Sequence, residues 1–556
     1  MLFPEAKDQA AIARAMQQSW WKKPLAEGMA ADCSGPLPSG TYRQFLRFFT
    51  DGDRSEYERI YLAKRRRLGL CAAQAFFYHD TKALEMLQST IWDVCNEATW
   101  ALPAHIPNPE AGDYRGWIDL LAAETGFTLS EILYLMGGKL DKGLVNRVQR
   151  ELSARIIMPF LSHTFWWEEL PMNWAAVCAG SVGACFLYRF PDKFPLVRDR
   201  ILHSMDCFLS SFGTDGICTE GIGYWNYGFG FFCCFAQLLL EFTQGEIDLF
   251  SRDIVKKAAQ FQQIAYLYGD TTISFSDGSQ NMEWVPGLLF LLVRKFPGVV
   301  RLPHSKRRQL YASSVRFPVY MRNILWTDED AIGGPPPLGT AYFSDAQWFI
   351  ARQPAFGFVA KGGHNDEPHN HNDLGHFILA NAHGQILCDL GSGLYTKAYF
   401  NPDTRYHVLN NSARGHSVPI VDGHEQCAGR QYRAAVESHS GRQFALELSR
   451  AYDVPALQSL RRTFDVRASG IALTDRFAFA SGPLPVTERF VTQIKPELGA
   501  DGLRIANAVL RWDVPADACI RTEAFATHDN QTGTCYQIDI PLPAGATSFH
   551  LEVLLT

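Results

Sequence analysis

The chain has 556 residues, well past the ~250–300 at which a single hydrophobic core stops growing, so two domains are expected. Apolar residues at 47% and charged residues at 20% exclude a disordered or fibrous protein. Lys+Arg 52 against Asp+Glu 58 leave a net charge of −6, which argues against a dedicated nucleic-acid binder.

From the N-terminus, residues 1–23 are amphipathic and charged, with neither an apolar h-region nor a small-residue cleavage site. That predicts a cytoplasmic protein, or a periplasmic or secreted one if a leader precedes this sequence. The thirteen cysteines are odd in number and contain no CxxC pair, and Cys233–Cys234 sit in an apolar run, so reduced thiols are expected. The longest apolar stretch, Phe229 to Phe242, falls short of the ~20 residues a membrane span needs, and no membrane partner is expected.

Residues up to about 330 read as helical. Leu144, Val148, Leu152, Ile156 and Phe160 form one four-step stripe. Similar stripes lie at Tyr61–Phe77, Ala83–Trp92, Leu129–Leu135, Trp174–Leu187 and Phe229–Phe242, divided by glycine and proline. Helices without intervening strands suggest stacked helical hairpins, in a solenoid or a closed toroid. Eleven of the 13 Trp precede residue 330, as core filler or as sugar-stacking faces.

Ala331–Gly339 is a linker by composition. After it come short alternating runs, among them AQWFIAR, FGFVAK, FALELS, IALTDRFAFA and SFHLEVLL. Phe377–Asn381 and Gln385–Asp389 flank a turn at Ala382–Gly384 and predict a β-hairpin. The expected architecture is a helical domain over 1–330 and an antiparallel β-domain over 331–556.

Eight of the 16 His fall between His364 and His424, where uniform scatter would place about two. At their centre is His369-Asn370-His371-Asn372-Asp373. On a strand, His369 and His371 would point the same way. Paired imidazoles suit a metal, an anionic substrate or proton transfer. Asp389 and His416 could complete a two-imidazole, one-carboxylate set for Zn²⁺ or Mn²⁺ with His371, although Asp389 before Gly391 is also an ordinary turn residue. In the helical part, Asp215 to Phe232 places Tyr224, Trp225 and Tyr227 among glycines, beside a ligand or as a core plug. Asn173, after a proline and before a helical run, reads most simply as a helix N-cap.

Together HNHND, CDLGSGLY, RY…GHS and EGIGYWNYG resemble the heparinase II/III-like polysaccharide lyases. The resemblance implies an (α/α) toroid followed by an antiparallel β-sandwich, an α+β multidomain fold. It implies β-elimination on uronic-acid glycans, glycosaminoglycans first, with an anionic oligo- or polysaccharide as partner and a monomer or homodimer as the working form. Tyr224 matches the catalytic tyrosine, His369 the catalytic histidine, and Asn173 the asparagine that neutralises the uronate carboxylate. His371, Asp389 and His416 match the ligands of a divalent metal, Zn or Mn, expected to be structural. Tyr395 resembles a second active-site tyrosine, and Arg405 lies near the site. Glu220, Trp225 and Trp174 are expected to bind substrate, Trp174 standing where several family members have His. The rivals are oligoalginate lysis by the same chemistry, a glycoside hydrolase using Glu220 and Asp215, a metal-dependent hydrolase centred on HNHND, and a non-catalytic sugar binder.

Overall fold

The computed structural model describes residues 1–107, 112–311, 314–499 and 502–555. Two compact units result. The first comprises Met1–Phe212, Tyr224–Ala259 and Glu283–Gly333; the second comprises Gly213–Gly223, Gln260–Met282 and Gly334–Thr556. Two segments from before residue 330 therefore belong to the second unit.

In the first unit the helices fall into two kinds. Leu120–Met136, Asn173–Arg189 and Gly230–Phe242 are buried on nearly every side, as inner helices are. Thr81–Asn96 and Lys142–Leu152 bury one stripe and expose the rest. The predicted stripe from Leu144 to Phe160 is buried throughout. Acidic caps set several helix starts: Asp80, Asp119 and Asp141 each accept a hydrogen bond from a first-turn amide. Trp225–Phe229 winds as a π-turn directly before Gly230–Phe242, a distortion frequent at functional sites. Among the described residues, no helix is long and apolar enough to cross a membrane. All thirteen cysteines are free thiols.

The second unit is built from antiparallel sheets. One has five strands in the order Gly339–Phe343, Trp348–Arg352, Gly357–Lys361, Phe377–Asn381, Gly384–Leu387. The predicted hairpin is its last pair, with Asn381 opposite Gly384 across a two-residue turn. An eight-stranded sheet is centred on Leu457–Arg467 and Gly470–Phe479, and a four-stranded sheet on Thr532–Pro541 and Val486–Thr492. Period-two alternation turns one face of the eight-stranded sheet inward, as along Leu457–Arg467, whereas Gly357–Lys361 and Phe377–Asn381 of the five-stranded sheet are buried on both faces. Phe349 of the five-stranded sheet stacks on Phe444 of the eight-stranded one, centroids 5.3 Å apart, and Phe377 meets Phe464 at 5.2 Å.

Arg462 is fully buried in this core. It is bidentate to Asp475, reaches Glu488 at 3.1 Å, and donates to the carbonyls of Gly375 and Ser417. Those carbonyls end the histidine-rich loop and follow His416, so the charge cluster fastens the site's frame to the sheets. Arg462→Met is expected to destabilise the protein by about 3–5 kcal/mol, because the buried Asp475–Glu488 pair, in which burial and Asp475 push the Glu488 carboxyl well up, loses its cation. Denaturant unfolding measures this directly, and a change below about 1 kcal/mol would refute it.

Candidate active site and metal centre

The HNHND segment is a loop, not the strand that side-chain alternation suggested. His369 sits in the left-handed region at φ 57°, a conformation that persists in non-glycine residues only where the surroundings impose it. The surroundings here are side chains that replace a partner strand. Gln426 brackets Leu374, accepting from its amide and donating to its carbonyl. Arg405 donates twice to the Asn370 carbonyl and once to that of Tyr399. Arg405 is buried, and its geometry is that of a loop clamp.

Both imidazoles still reach one partner, which the sequence reading missed. Asp277, in the segment Gln260–Met282, is fully enclosed. Its Oδ2 accepts from His369 Nδ1 at 2.7 Å and from the Tyr395 hydroxyl at 2.8 Å. Its Oδ1 faces His371 Nε2 at 3.2 Å and accepts from the Tyr399 hydroxyl. Burial pushes this carboxyl up, but the hydrogen bonds from His369 and His371 outweigh it and hold it well below the ordinary carboxylate range. In the sequence SFSDGSQ, Asp277 reads as a turn residue; no spacing connects it to histidines some ninety positions later.

His371, Asp389 and His416 converge as the sequence suggested, each offering a ligand atom within 4.8 Å of the others, all buried. Their hydrogen bonds define the tautomers. His371 gives its Nε2 proton to Asp277, and His416 gives its Nδ1 proton to the Ser412 carbonyl at 2.8 Å. The two remaining lone pairs, His371 Nδ1 and His416 Nε2, face each other at 3.3 Å. Asp389 Oδ2 is buried without a hydrogen-bond partner, 3.5 Å from His416 Nε2. Two lone pairs and a carboxylate oxygen directed at one point fit a cation of the Zn²⁺ or Mn²⁺ kind. Asp389 Oδ1 also accepts from the Gly391 amide, so the turn role holds as well.

His376 lies nearby but has a different task. Its Nδ1 accepts from the Ser417 amide at 2.9 Å, so its proton is on Nε2, directed at Asp389 Oδ2 at 3.4 Å. The two atoms approach as a charge–dipole pair without a hydrogen bond between them.

Glu220, also buried, places Oε2 3.6 Å from His369 Nε2. Asp215, its partner in the glycosidase rival, is engaged by main-chain amides: Oδ2 accepts from Asp345 and Ala346, and Oδ1 from Ile217.

In the helical unit, Asn173 is the first residue of its helix; the cap position belongs to Met172. The π-turn after Tyr224 presses against it. A Cβ at Gly228 would lie 3.0 Å from the Asn173 Cβ, so glycine is required for that approach. Tyr224 is half-buried at the start of this turn. Trp174 is half-buried and meets the rings of His105 and Trp166, each at 4.8 Å. Trp225 overturns its expectation: it is fully buried, donates to the Ala258 carbonyl and stacks on Phe229, which leaves no face for a sugar. Its indole is core filler.

No protein-family profile and no curated protein matches this sequence. Solved structures do. Heparinase III superposes with a TM-score of 0.63 at 13% identity, over 90% of this chain and 77% of that one. Heparan sulfate lyase HepC from Pedobacter heparinus gives 0.57 at 12%, over 96% and 87%. Paenibacillus xanthan lyase gives 0.54 at 10%, over 97% of this chain and 58% of that one. The chain has the heparinase-like polysaccharide lyase fold, a helical toroid followed by antiparallel sheets.

Proposed function

We propose that the protein is a polysaccharide lyase that cleaves uronic-acid-containing glycans, glycosaminoglycans such as hyaluronan, chondroitin sulfate and heparan sulfate, by β-elimination. One observation carries this reading: two imidazoles meet on buried Asp277, one of them belonging to the His371–Asp389–His416 set, in a chain with the fold of heparinase III.

β-Elimination removes the C5 proton beside the uronate carboxylate as the C4–O bond breaks, and negative charge builds on that carboxylate. Donors there stabilise the enolate-like state, each worth on the order of 10²–10³ in rate. We assign this role to Asn173 and His369. Tyr224 acts in proton transfer, as base toward C5 and as acid toward the leaving oxygen, or as acid alone with His369 as base. Asp277 holds His369 by Nδ1, so the nitrogen assigned to the reaction is Nε2, which also faces Glu220 Oε2 at 3.6 Å. Tyr395 shares that carboxylate and so supports the same ring.

His371, Asp389 and His416 would hold the divalent ion, which supplies a cross-link between the loop and the sheet hairpin together with positive charge. Its role is structural. Chelation is expected to lower the unfolding temperature by several degrees, with turnover lost in step. Loss of turnover at unchanged thermal stability would overturn the structural role.

The experiment that tests the function is an ultraviolet scan during incubation with uronate polymers, because elimination leaves a conjugated, absorbing uronate and hydrolysis does not. Chain shortening without absorbance would refute the lyase reading. Glu220→Gln is expected to lower activity by no more than about tenfold, whereas a glycosidase that lost a catalytic carboxylate would fall far further. The amides that already hold Asp215 argue in the same direction.

A further inference from the structure

Among the described residues, the helical unit contains a pocket of about 460 Å³ away from Asn173, walled by Tyr42, Phe45, Tyr57, Tyr61 and Tyr114. Tyr42 is 73% exposed at its rim, and its ring stacks with that of Phe45, centroids 6.5 Å apart at 13°. Tyr57 meets Phe45 edge-on at 5.4 Å. This is an amphipathic wall, with flat apolar faces bearing hydroxyls. The Tyr114 hydroxyl, in the same wall, is buried with no hydrogen-bond partner among the described residues, and a buried polar group left in that state calls for a partner.

Half-buried rings lead out of the pocket to Trp174 within the same unit. Tyr114 meets Trp117 at 6.2 Å, and the Trp117 indole donates to the His105 carbonyl. The His105 ring contacts Trp174, which contacts Trp166, itself 53% exposed. The run thus links the pocket to the residue beside Asn173.

Charge defines the ligand. Asp93, Glu97 and Asp113 line the pocket against one cation, Lys64. Lys64 is already paired with Asp93 and Glu97, and Arg65 beneath is bidentate to Glu97. Among the described lining residues no cation is left for a sulfate or carboxylate, and the surplus negative charge of Asp113 repels one.

We propose that this pocket is a distal saccharide subsite for an uncharged pyranose, at the far end of an aromatic track from Asn173 and Trp174. The inference deepens the lyase reading and rests on it for the chain that runs along the track. The subsite binds a neutral ring apart from the residues assigned to the chemistry, so the protein would grip long chains and disfavour those sulfated at that position.

Saturation-transfer NMR with the β-linked tetramer of N-acetylglucosamine as an uncharged probe, and sulfated N-acetylglucosamine as a charged one, tests the subsite without turnover. The uncharged probe is expected to bind and the sulfated one not. Tyr42→Ala, at an exposed position, should weaken binding roughly tenfold, with Phe45→Ala as a second variant and thermal unfolding as the check on folding. Equal binding by wild type and both variants, no binding of the tetramer, or preference for the sulfated sugar would overturn the proposal. The ultraviolet assay on the same samples separates the two readings. Probe binding without absorbance keeps the subsite and removes the lyase; absorbance without probe binding does the reverse.

Discussion

Asp277→Asn is expected to reduce kcat by on the order of 10²–10⁴ and to weaken metal binding by roughly 10–100-fold. Asn matches Asp in shape, so the change isolates the carboxylate's acceptor capacity. Four donors converge on Asp277, from His369, His371, Tyr395 and Tyr399. An amide offers one oxygen and turns an NH₂ toward the rest. One imidazole must then flip its tautomer or lose its anchor. If His369 flips, its ring loses the Nδ1 anchor and Nε2, now carrying the proton, cannot act as base toward C5; if His371 flips, Nδ1 is no longer a lone pair for the ion. Rates from the ultraviolet assay and metal content after dialysis provide the two readouts. Activity within about threefold of wild type, with full metal content, would show that Asp277 merely fills space.

Tyr224→Phe is expected to cut kcat by about 10³-fold or more while leaving KM within a few-fold and the fold intact. The substitution removes one oxygen from a half-buried ring and leaves the π-turn and its contact with Asn173 in place. A tyrosine hydroxyl ordinarily titrates near ~10, so its use as a base requires positive charge nearby, and its use as an acid does not. A variant that kept activity within about tenfold would confine proton transfer to His369. A rise in KM at unchanged kcat would make Tyr224 a binding residue instead.

The candidate metal set was legible in the sequence because its members are chemically conspicuous: imidazoles crowd between His364 and His424, and Asp389 follows closely on the hairpin strand Gly384–Leu387. The hairpin, the helical stripes and the change of texture after residue 330 were legible for a similar reason. Periodicity of 3.6 or 2 is a local signal, and each burying face is written in consecutive residues. Asn173 and Trp174 became site candidates only through resemblance to a family, since nothing local distinguishes them from a helix start and its core neighbours; for Tyr224 the glycine-rich context left a ligand contact and a core plug both open. For Trp225 the same local texture misled, because glycine-flanked aromatics look alike whether they line a cleft or fill a core.

By itself, then, the sequence determined which segments become helices and strands and which residues are chemically able to coordinate, because both depend on near neighbours and on side-chain type. The tertiary structure alone decided how HNHND is held and what its imidazoles do. Its loop is bonded by Gln426 and Arg405 instead of a neighbouring strand. Its tautomers are set by Asp277, Ser412 and, for the adjacent His376, Ser417. Those partners act across long sequence separations, where a hydrogen bond depends on atoms meeting in space and leaves no period or spacing to read along the chain.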